Sequence, residues 1–292
     1  MLLTNINENL LKATFATGDS LQKAWAMSRE AIAEDRLDAQ SYTILPAVYP
    51  NLYRNGIQDP LIEKLKGVYR KAWCLNQRYL YAVTSLAERF DKHAVRVIFM
   101  RDIALHGYYY RNRAFRSIYG IHLFICEKQK DQAIKILEET EWQRKEAQGP
   151  GDVPGARHIF FTDGRGHTTA LRYRLFDSML YEGAENDFSR RAKPLAMFEN
   201  RAYMFDPADQ LFYVCLAAAR QEKIIYLSDI IRILETNNNT LDWERFTYNI
   251  NKGRCASSIR NITTLISERL DPDRGSTFEG KLKISPSVFE SF

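Results

Sequence analysis

The chain has 292 residues, of which 45% are hydrophobic and 26% are charged. This usage is ordinary for a globular protein, and it excludes a disordered chain, a collagen-like repeat and a simple coiled coil. Lysine and arginine together exceed aspartate and glutamate by five, a bias that permits an anionic ligand without requiring nucleic acid.

No stretch approaches the ~18 consecutive apolar residues of a membrane span, and the N-terminus lacks the basic and apolar regions of a signal peptide. We therefore expect a cytoplasmic protein with no membrane segment. The four cysteines are widely spaced among apolar neighbours. This pattern favours buried thiols in a reducing compartment over a disulfide set or a zinc site.

Helical patterns dominate the N-terminal third of the chain. Asp59–Pro60 is typical of a helix start, and the apolar spacing that follows predicts a helix to about Asp91. Pro46 and Pro50 interrupt the preceding apolar stretch, which predicts only a short, bent helix over Ala47–Tyr53.

A small αβ unit follows, in which β-branched runs alternate with helical patterns. The residues Asp163–Gly166 separate two of the runs and are typical of a hairpin turn. The Gly- and Pro-rich stretch Gln148–Gly155 predicts a loop. The predicted strands are Val95–Met100, Ser117–Ile125, His158–Thr162 and Thr168–Phe176, and the predicted helices are Ile103–Tyr110 and Lys130–Thr140.

Helical patterns return at Asp206, which is expected to cap a helix that begins with Pro207. Further helices are predicted over Ile224–Leu234, Asp242–Ile250 and Ala256–Leu270, and the residues from Asp271 lack periodicity. The expected fold class is α+β, with a small mixed sheet between helical segments. The expected parts are a helical segment (1–94), an α/β core (95–205), a second helical segment (206–270) and an irregular tail (271–292).

Three segments of the αβ unit share a framework with known sequences: Val97–Leu105, Phe115–Ile125 and Thr169–Leu175. They resemble, in that order, a hydrophobic run followed by Lys-Gly, a Leu-Arg-x-x-x-Asp-Ile-Asp-Leu-Leu-Val strand and a Val-Glu-Leu-His-Trp-Arg-Leu strand. These motifs belong to a bacterial family of uncharacterised nucleotidyltransferases. The resemblance covers roughly residues 45–270 and implies that the mixed sheet is nucleotidyltransferase-like.

The resemblance implies transfer of a nucleotidyl group from an NTP, with Mg²⁺ held by three carboxylates. Asp-x-Asp presents two of them on one face of a strand, and a neighbouring strand supplies the third. In this sequence the aligned residues are Gly120, His122 and Ala170. A site without these three negative charges would not concentrate Mg²⁺, so we expect metal-dependent transfer to be lost.

The region that carries these positions is basic, with five arginines against one aspartate between residues 95 and 125. We expect Arg101, Asp102, Arg116, His122 and Arg172 to form a ligand site that holds a phosphate by forked hydrogen bonds, with no cofactor or metal. The alternative is a solvated basic face whose neighbouring tyrosines pack in the core.

The first hypothesis for function is therefore a catalytically degenerate, nucleotidyltransferase-like protein that binds a nucleotide or another phosphorylated ligand, or a protein partner, in a bacterial pathway. The alternative is an active nucleotidyltransferase that uses Mg²⁺ and an NTP, with Asp102 in place of a missing acid. Nucleic-acid binding through the arginine- and tyrosine-rich segment is the weakest hypothesis, because the net charge is modest and no helix-turn-helix or RNP pattern occurs.

Overall fold

The computed structural model describes residues 3–110, 114–145, 158–175, 181–237 and 240–282. The loop predicted over Gln148–Gly155 lies outside these residues. The described helices are α1 (Asn5–Phe15), α2 (Gly18–Ala33), α3 (Ala39–Arg54), α4 (Leu61–Lys92), α5 (Arg101–Tyr108), α6 (Lys130–Glu138), α7 (Ala184–Arg191), α8 (Pro207–Gln221), α9 (Ile224–Thr236), α10 (Trp243–Gly253), α11 (Ala256–Leu265) and α12 (Pro272–Lys281). The described strands are β1 (Ile98–Met100), β2 (Ile121–Phe124), β3 (Gln143–Arg144), β4 (His158–Thr162), β5 (Thr168–Arg172), β6 (Lys193–Pro194) and β7 (Tyr203–Met204).

The predicted α+β class is confirmed. The described strands form one mixed sheet in the order β3-β4-β5-β2-β1-β7-β6, with helices before and after it in the chain. The pairs β2/β5 and β1/β7 are parallel, and the other neighbouring pairs are antiparallel. Among the described helices, none combines the length and the apolarity needed to cross a bilayer.

The chain divides into two compact units that are not consecutive in sequence. Unit 1 comprises Met1–Cys74, Asn112–Ser117 and Pro207–Phe292, and it contains the helices of both ends of the chain. Unit 2 comprises Leu75–Arg111 and Ile118–Asp206, and it contains the mixed sheet. The chain therefore leaves unit 2 for six residues between α5 and β2 and then returns to it.

Helix α3 is longer than the short, bent helix expected from its two prolines. It begins after Asp38, whose carboxylate accepts the backbone N–H of Ser41 at 2.7 Å, and it contains both Pro46 and Pro50. A proline inside a helix costs ~3 kcal/mol or more, a cost that burial of apolar side chains offsets. The fully buried apolar side chains of α3 include Ile44, Leu45, Val48 and Leu52.

The expected irregular tail instead begins with helix α12. The Asp271 carboxylate accepts the backbone N–H of Arg274 at 3.1 Å, and Pro272 occupies the first turn. Phe278 is 1% exposed, and its ring centroid lies 5.8 Å from that of Trp243. This capped start and buried aromatic anchor stabilise a helix whose composition is otherwise polar. Positions 283–292 lie outside the described residues.

A fully buried ion pair lies in unit 1. The Arg116 guanidinium donates to both carboxylate oxygens of Asp229, from Nε to Oδ1 at 2.9 Å and from Nη2 to Oδ2 at 3.1 Å. The two side chains are 2% and 0% exposed. Arg116 also donates from Nη1 to the carbonyl oxygen of Ser117 at 2.7 Å. The pair therefore anchors the short segment of unit 1 between α5 and β2 to helix α9.

We predict that Asp229→Ala lowers the free energy of unfolding by about 3–5 kcal/mol, because it leaves a buried guanidinium without its counter-charge. Urea denaturation measures the change. Removing both charges with Arg116→Met and Asp229→Leu should restore most of the loss. The exposed Lys66–Glu63 pair gives the control, since Glu63→Ala should cost under about 1 kcal/mol. Equal losses for Asp229→Ala and Glu63→Ala would contradict the prediction.

Candidate functional site

The register of the central strands brings the three positions aligned with the family's acids together in unit 2. His122 on β2 pairs with Ala170 on β5, and Phe160 on β4 pairs with Ala170 from the other side. Directly paired residues point to the same face of a sheet. Gly120 precedes His122 by two positions, and a Cβ atom built on it would lie 3.8 Å from Nε2 of His122. All three positions therefore face the same side of the sheet.

The two faces of this sheet differ in burial. One face is largely apolar and buried, as expected for a core. The opposite face, here called the polar face, combines buried apolar side chains with polar and aromatic side chains that are half-buried. The core face includes Phe99, Ile121, Leu123, Phe161 and Leu171, and the polar face includes half-buried His122, His158, Phe160 and Arg172 together with buried Ile98, Met100, Phe124 and Ala170. A polar, partly accessible sheet face is where a ligand can meet these side chains.

His122 lies at the centre of the polar face and is uncharged at neutral pH. Burial and, next, the positive charge of Arg101 lower the pKa of His122 to about 3. The charge of Arg172 acts in the same direction, and the Asp102 carboxylate opposes both. The ring atom Nδ1 is buried and has no hydrogen-bond partner in the part of the chain that the structure describes.

Arg101 and Asp102 lie where β1 passes into helix α5. Arg101 has a φ of 50°, in the left-handed region that non-glycine residues seldom adopt. Such backbone strain is of order 1–3 kcal/mol and is concentrated at functional sites. Asp102 is 5% exposed, and its Oδ2 accepts the backbone N–H of Tyr119 at 2.9 Å. Asp102 thereby connects the start of α5 to the chain that enters β2.

Arg172 supplies a second cation on the polar face. It ends β5 opposite His158 on β4, and its charge acts on His122. Its Nε is buried without a hydrogen-bond partner among the described residues. A buried donor left unpaired costs roughly 1–3 kcal/mol, and an anion bound at this face would remove that cost.

Arg116 lies in unit 1, where its guanidinium is buried and is bound by Asp229. Its Nε and Nη2 already donate to this carboxylate, and its expected ligand-binding role stays a prediction. Of the neighbouring tyrosines, Tyr109 and Tyr110 are buried, whereas Tyr108 is 48% exposed.

The donor set of the site does not suit Mg²⁺. Magnesium requires hard oxygen ligands in octahedral geometry, most often carboxylates. Among the described residues, the charged groups that act on the neutral imidazole of His122 are the Asp102 carboxylate and the guanidiniums of Arg101 and Arg172. Within the described ranges, no three side chains of His, Cys, Asp or Glu form a group that could hold a metal ion.

Tyr79 is a residue of this region that the sequence did not single out. Its hydroxyl donates to the carbonyl oxygen of Tyr119 at 3.3 Å. Burial raises the pKa of its phenol, a hydrogen bond with Thr168 opposes the rise, and the charges of Asp102 and Asp163 add to it. The phenol is therefore a proton donor beside Asp102 at neutral pH. The sequence pattern of the long helix α4, which carries Tyr79, did not predict its contact with Tyr119.

The β4–β5 hairpin turn, predicted from Asp163–Gly166, is held by one carboxylate. Asp163 accepts the backbone N–H groups of Arg165 and His167 through Oδ1 at 3.0 and 2.7 Å. Its Oδ2 lies 2.6 Å from Nδ1 of His167. Burial alone would raise the pKa of Asp163, but the hydrogen bonds from His167 hold it below its usual value. This network fixes the register that pairs Ala170 with Phe160.

Comparison with known sequences agrees with this geometry. A family described as uncharacterised nucleotidyltransferases matches residues 39–271, which is most of the chain. This match identifies the class as nucleotidyltransferase-like proteins. The chain belongs to this uncharacterised nucleotidyltransferase family. No curated protein matches it.

We predict that Asp163→Ala lowers the free energy of unfolding at pH 7 by about 1.5–3 kcal/mol, because charged hydrogen bonds in the turn are lost. The folded pKa of Asp163 lies below the unfolded value of roughly 3.9, so its contribution is present above that pH and is lost as pH falls through the folded pKa. Urea denaturation should therefore show a smaller loss of unfolding free energy for Asp163→Ala, relative to the native chain, near pH 3 than at pH 7.

The control for this measurement is Asp131→Ala, which removes a carboxylate that is 94% exposed. It should change stability by less than about 0.5 kcal/mol at neutral pH. A deficit of Asp163→Ala that stays constant between pH 7 and acid would show that the carboxylate's charge is not what stabilises the turn.

Proposed function

We propose that this family member binds a nucleotide or another phosphorylated ligand on the polar face of unit 2 without a divalent metal, and that it does not transfer nucleotidyl groups. Arg101 and Arg172 would bind the phosphate oxygens, and His122 would donate or accept one hydrogen bond. Asp102 would fix the entry to β2 and limit the net positive charge. Arg116 has no part in this proposal, because it is bound by Asp229.

One observation carries the proposal: the buried Nδ1 of His122 and Nε of Arg172 lie on the same sheet face without partners in the described residues. Buried polar atoms in folded proteins are nearly always paired with protein, water or ligand, so these two atoms are the donors and acceptors that a bound molecule could use. The guanidinium charge makes an anion the fitting one. Guanidinium binds phosphate through two parallel hydrogen bonds, which matches a planar donor fork to tetrahedral oxygens.

The loss of transfer follows from charge. Nucleotidyl transfer depends on positioning the triphosphate and neutralising its developing charge, which Mg²⁺ and its carboxylates perform in the family. Gly120, His122 and Ala170 supply no carboxylate, and two guanidiniums would repel a divalent cation. Arginine can hold a phosphate in place, but it does not activate the attacking hydroxyl.

We predict that the protein binds ADP and inorganic pyrophosphate in the presence of EDTA, and that Arg172→Ala weakens both by roughly 10- to 100-fold, since a charge-assisted hydrogen bond is lost. Isothermal titration calorimetry measures the affinities. Arg174→Ala is the matched control, because Arg174 is 41% exposed and pairs with Glu127 at 3.2 Å. Binding that requires Mg²⁺, or equal losses in both variants, would contradict the proposal.

We also predict that restoring the acids creates a metal site. Gly120→Asp, His122→Asp and Ala170→Glu together place three carboxylates on one sheet face, so the triple variant should bind Mn²⁺ or Mg²⁺ at least tenfold more tightly than the native chain. Manganese paramagnetic resonance and calorimetry measure this gain. Because Ala170 is 3% exposed, its replacement by glutamate disturbs the packing. His122→Asp alone leaves Ala170 in place and should show part of the gain in metal affinity.

The competing activity has its own result. If the native chain turns over labelled ATP with Mg²⁺ and Asp102→Ala abolishes that turnover, the working-enzyme alternative replaces the proposal. Tight Mg²⁺ binding by the native chain would point the same way. No turnover of any NTP, together with metal-free ADP binding, supports the binding role.

A further inference from the structure

Four aromatic side chains of unit 1 form a partly exposed row, here called the aromatic ridge: Tyr53, Tyr49, Tyr69 and Trp73. The ring centroids of Tyr53 and Tyr49 lie 5.9 Å apart, and those of Tyr49 and Tyr69 lie 5.3 Å apart. Trp73 follows Tyr69 by one helical turn. At the two ends of the ridge, Tyr53 is 67% exposed and Trp73 is 46% exposed.

Helix geometry aligns the ridge. Tyr49 and Tyr53 are four residues apart on α3, and Tyr69 and Trp73 are four residues apart on α4. Side chains at this spacing lie on the same side of a helix, so each helix contributes one pair. The two pairs meet where Tyr49 contacts Tyr69. Large aromatic side chains exposed together mark an interaction surface more often than isolated ones do.

Two arginines lie beside the ridge. Arg54 donates from Nε to the carbonyl oxygen of Pro50 at 3.1 Å, and its guanidinium lies 5.7 Å from the centre of the Phe115 ring. Arg70 is exposed and precedes Trp73 by three positions on α4. Neither has a carboxylate partner in the portion of the chain that is described.

Two lysines earlier on the same helix are neutralised. Lys64 pairs with Asp35 at 2.6 Å, and Lys66 pairs with Glu63 at 3.1 Å. Positive charge without a carboxylate partner among the described residues therefore begins at the aromatic ridge, where Lys71 follows Arg70. A partner that offers negative charge and flat rings together fits both features.

We propose that the aromatic ridge binds single-stranded nucleic acid, with bases stacked on Tyr53 and Trp73 and phosphates bound by Arg54 and Arg70. Stacking on exposed aromatic rings beside cations is how proteins bind single strands without reading their sequence. An acidic protein partner is the less fitting occupant, because protein hot spots lie in packed, desolvated pockets and the end rings of the ridge project into solvent.

The four rings of the ridge lie outside the segment considered for nucleic acid from the sequence, and Arg54 beside them contacts Phe115 of that segment. That segment lies between residues 95 and 125, whereas the ridge combines α3 with α4. The inference also goes beyond the proposed phosphate-binding face, since every residue of the ridge belongs to unit 1. Either proposal can therefore fail without the other.

The test is fluorescence anisotropy of a labelled oligouridylate of about twelve nucleotides, titrated with the full chain at roughly 50 mM salt without Mg²⁺. Tyr53→Ala and Trp73→Ala should each weaken binding by roughly 5- to 100-fold, the cost of one lost stacking contact. Tyr53→Phe and Trp73→Phe should keep most of the affinity, because a ring remains. With two phosphate contacts, the slope of log affinity against log salt should be about −1.4.

Controls come from exposed tyrosines elsewhere in the chain. Tyr42 and Tyr248 are 43% and 42% exposed, and their alanine variants should bind as the native chain does. Tyr53→Ala carries the test if Trp73→Ala fails to fold. The proposal is overturned if no oligonucleotide binds at low salt, or if the control variants lose as much affinity. It is likewise overturned if oligoglutamate competes as well as unlabelled oligouridylate, which would indicate an acidic protein partner.

Discussion

The parallel pairing of β2 with β5 is the constraint on which the candidate site depends. It sets His122 beside Ala170, with Phe160 on the far side of Ala170. Because side chains alternate across a strand, a slip of β2 by one residue would turn His122 into the apolar core and expose Leu123. The apolar face therefore fixes the register. The polar groups of the other face occupy their positions as a consequence of that packing.

Within this frame, charge decides which ligands the polar face can accept. Two guanidiniums act on a neutral imidazole there, opposed by the Asp102 carboxylate. An electropositive face attracts a phosphate and repels a divalent metal ion. The proposed binding role therefore depends on the charge of this face, whereas family membership depends on the sequence match over residues 39–271.

The sequence predicted local elements well where one signal dominated. Alternation and a strong turn located β4 and β5, and Asp-Pro pairs located the starts of α4 and α8. A third such pair, Asp271–Pro272, starts α12, but this helix was not predicted because the residues after the pair are polar and lack periodicity. At α3, Pro46 and Pro50 led to the prediction of a helix that was too short, because burial of apolar side chains outweighs the cost of the two prolines.

Sequence reasoning was weaker for contacts between distant residues. Arg116 aligned with a family arginine, yet its partner Asp229 lies 113 positions away. No local sequence pattern predicts that pair. Tyr79 reaches the polar face from a long helix whose pattern indicates only packing. The aromatic ridge depends on the contact between α3 and α4. Residue spacing within each helix predicts one aromatic pair but not the contact between the two pairs.

The Arg116–Asp229 pair also restricts how this lineage can change. Loss of either partner strands a charge inside unit 1, so a viable path from this pair to a neutral one must cross a strongly destabilised intermediate or alter both codons nearly together. Homologues should therefore carry both charges or neither. In an alignment, these two positions would stand out as a covarying couple far apart in the chain.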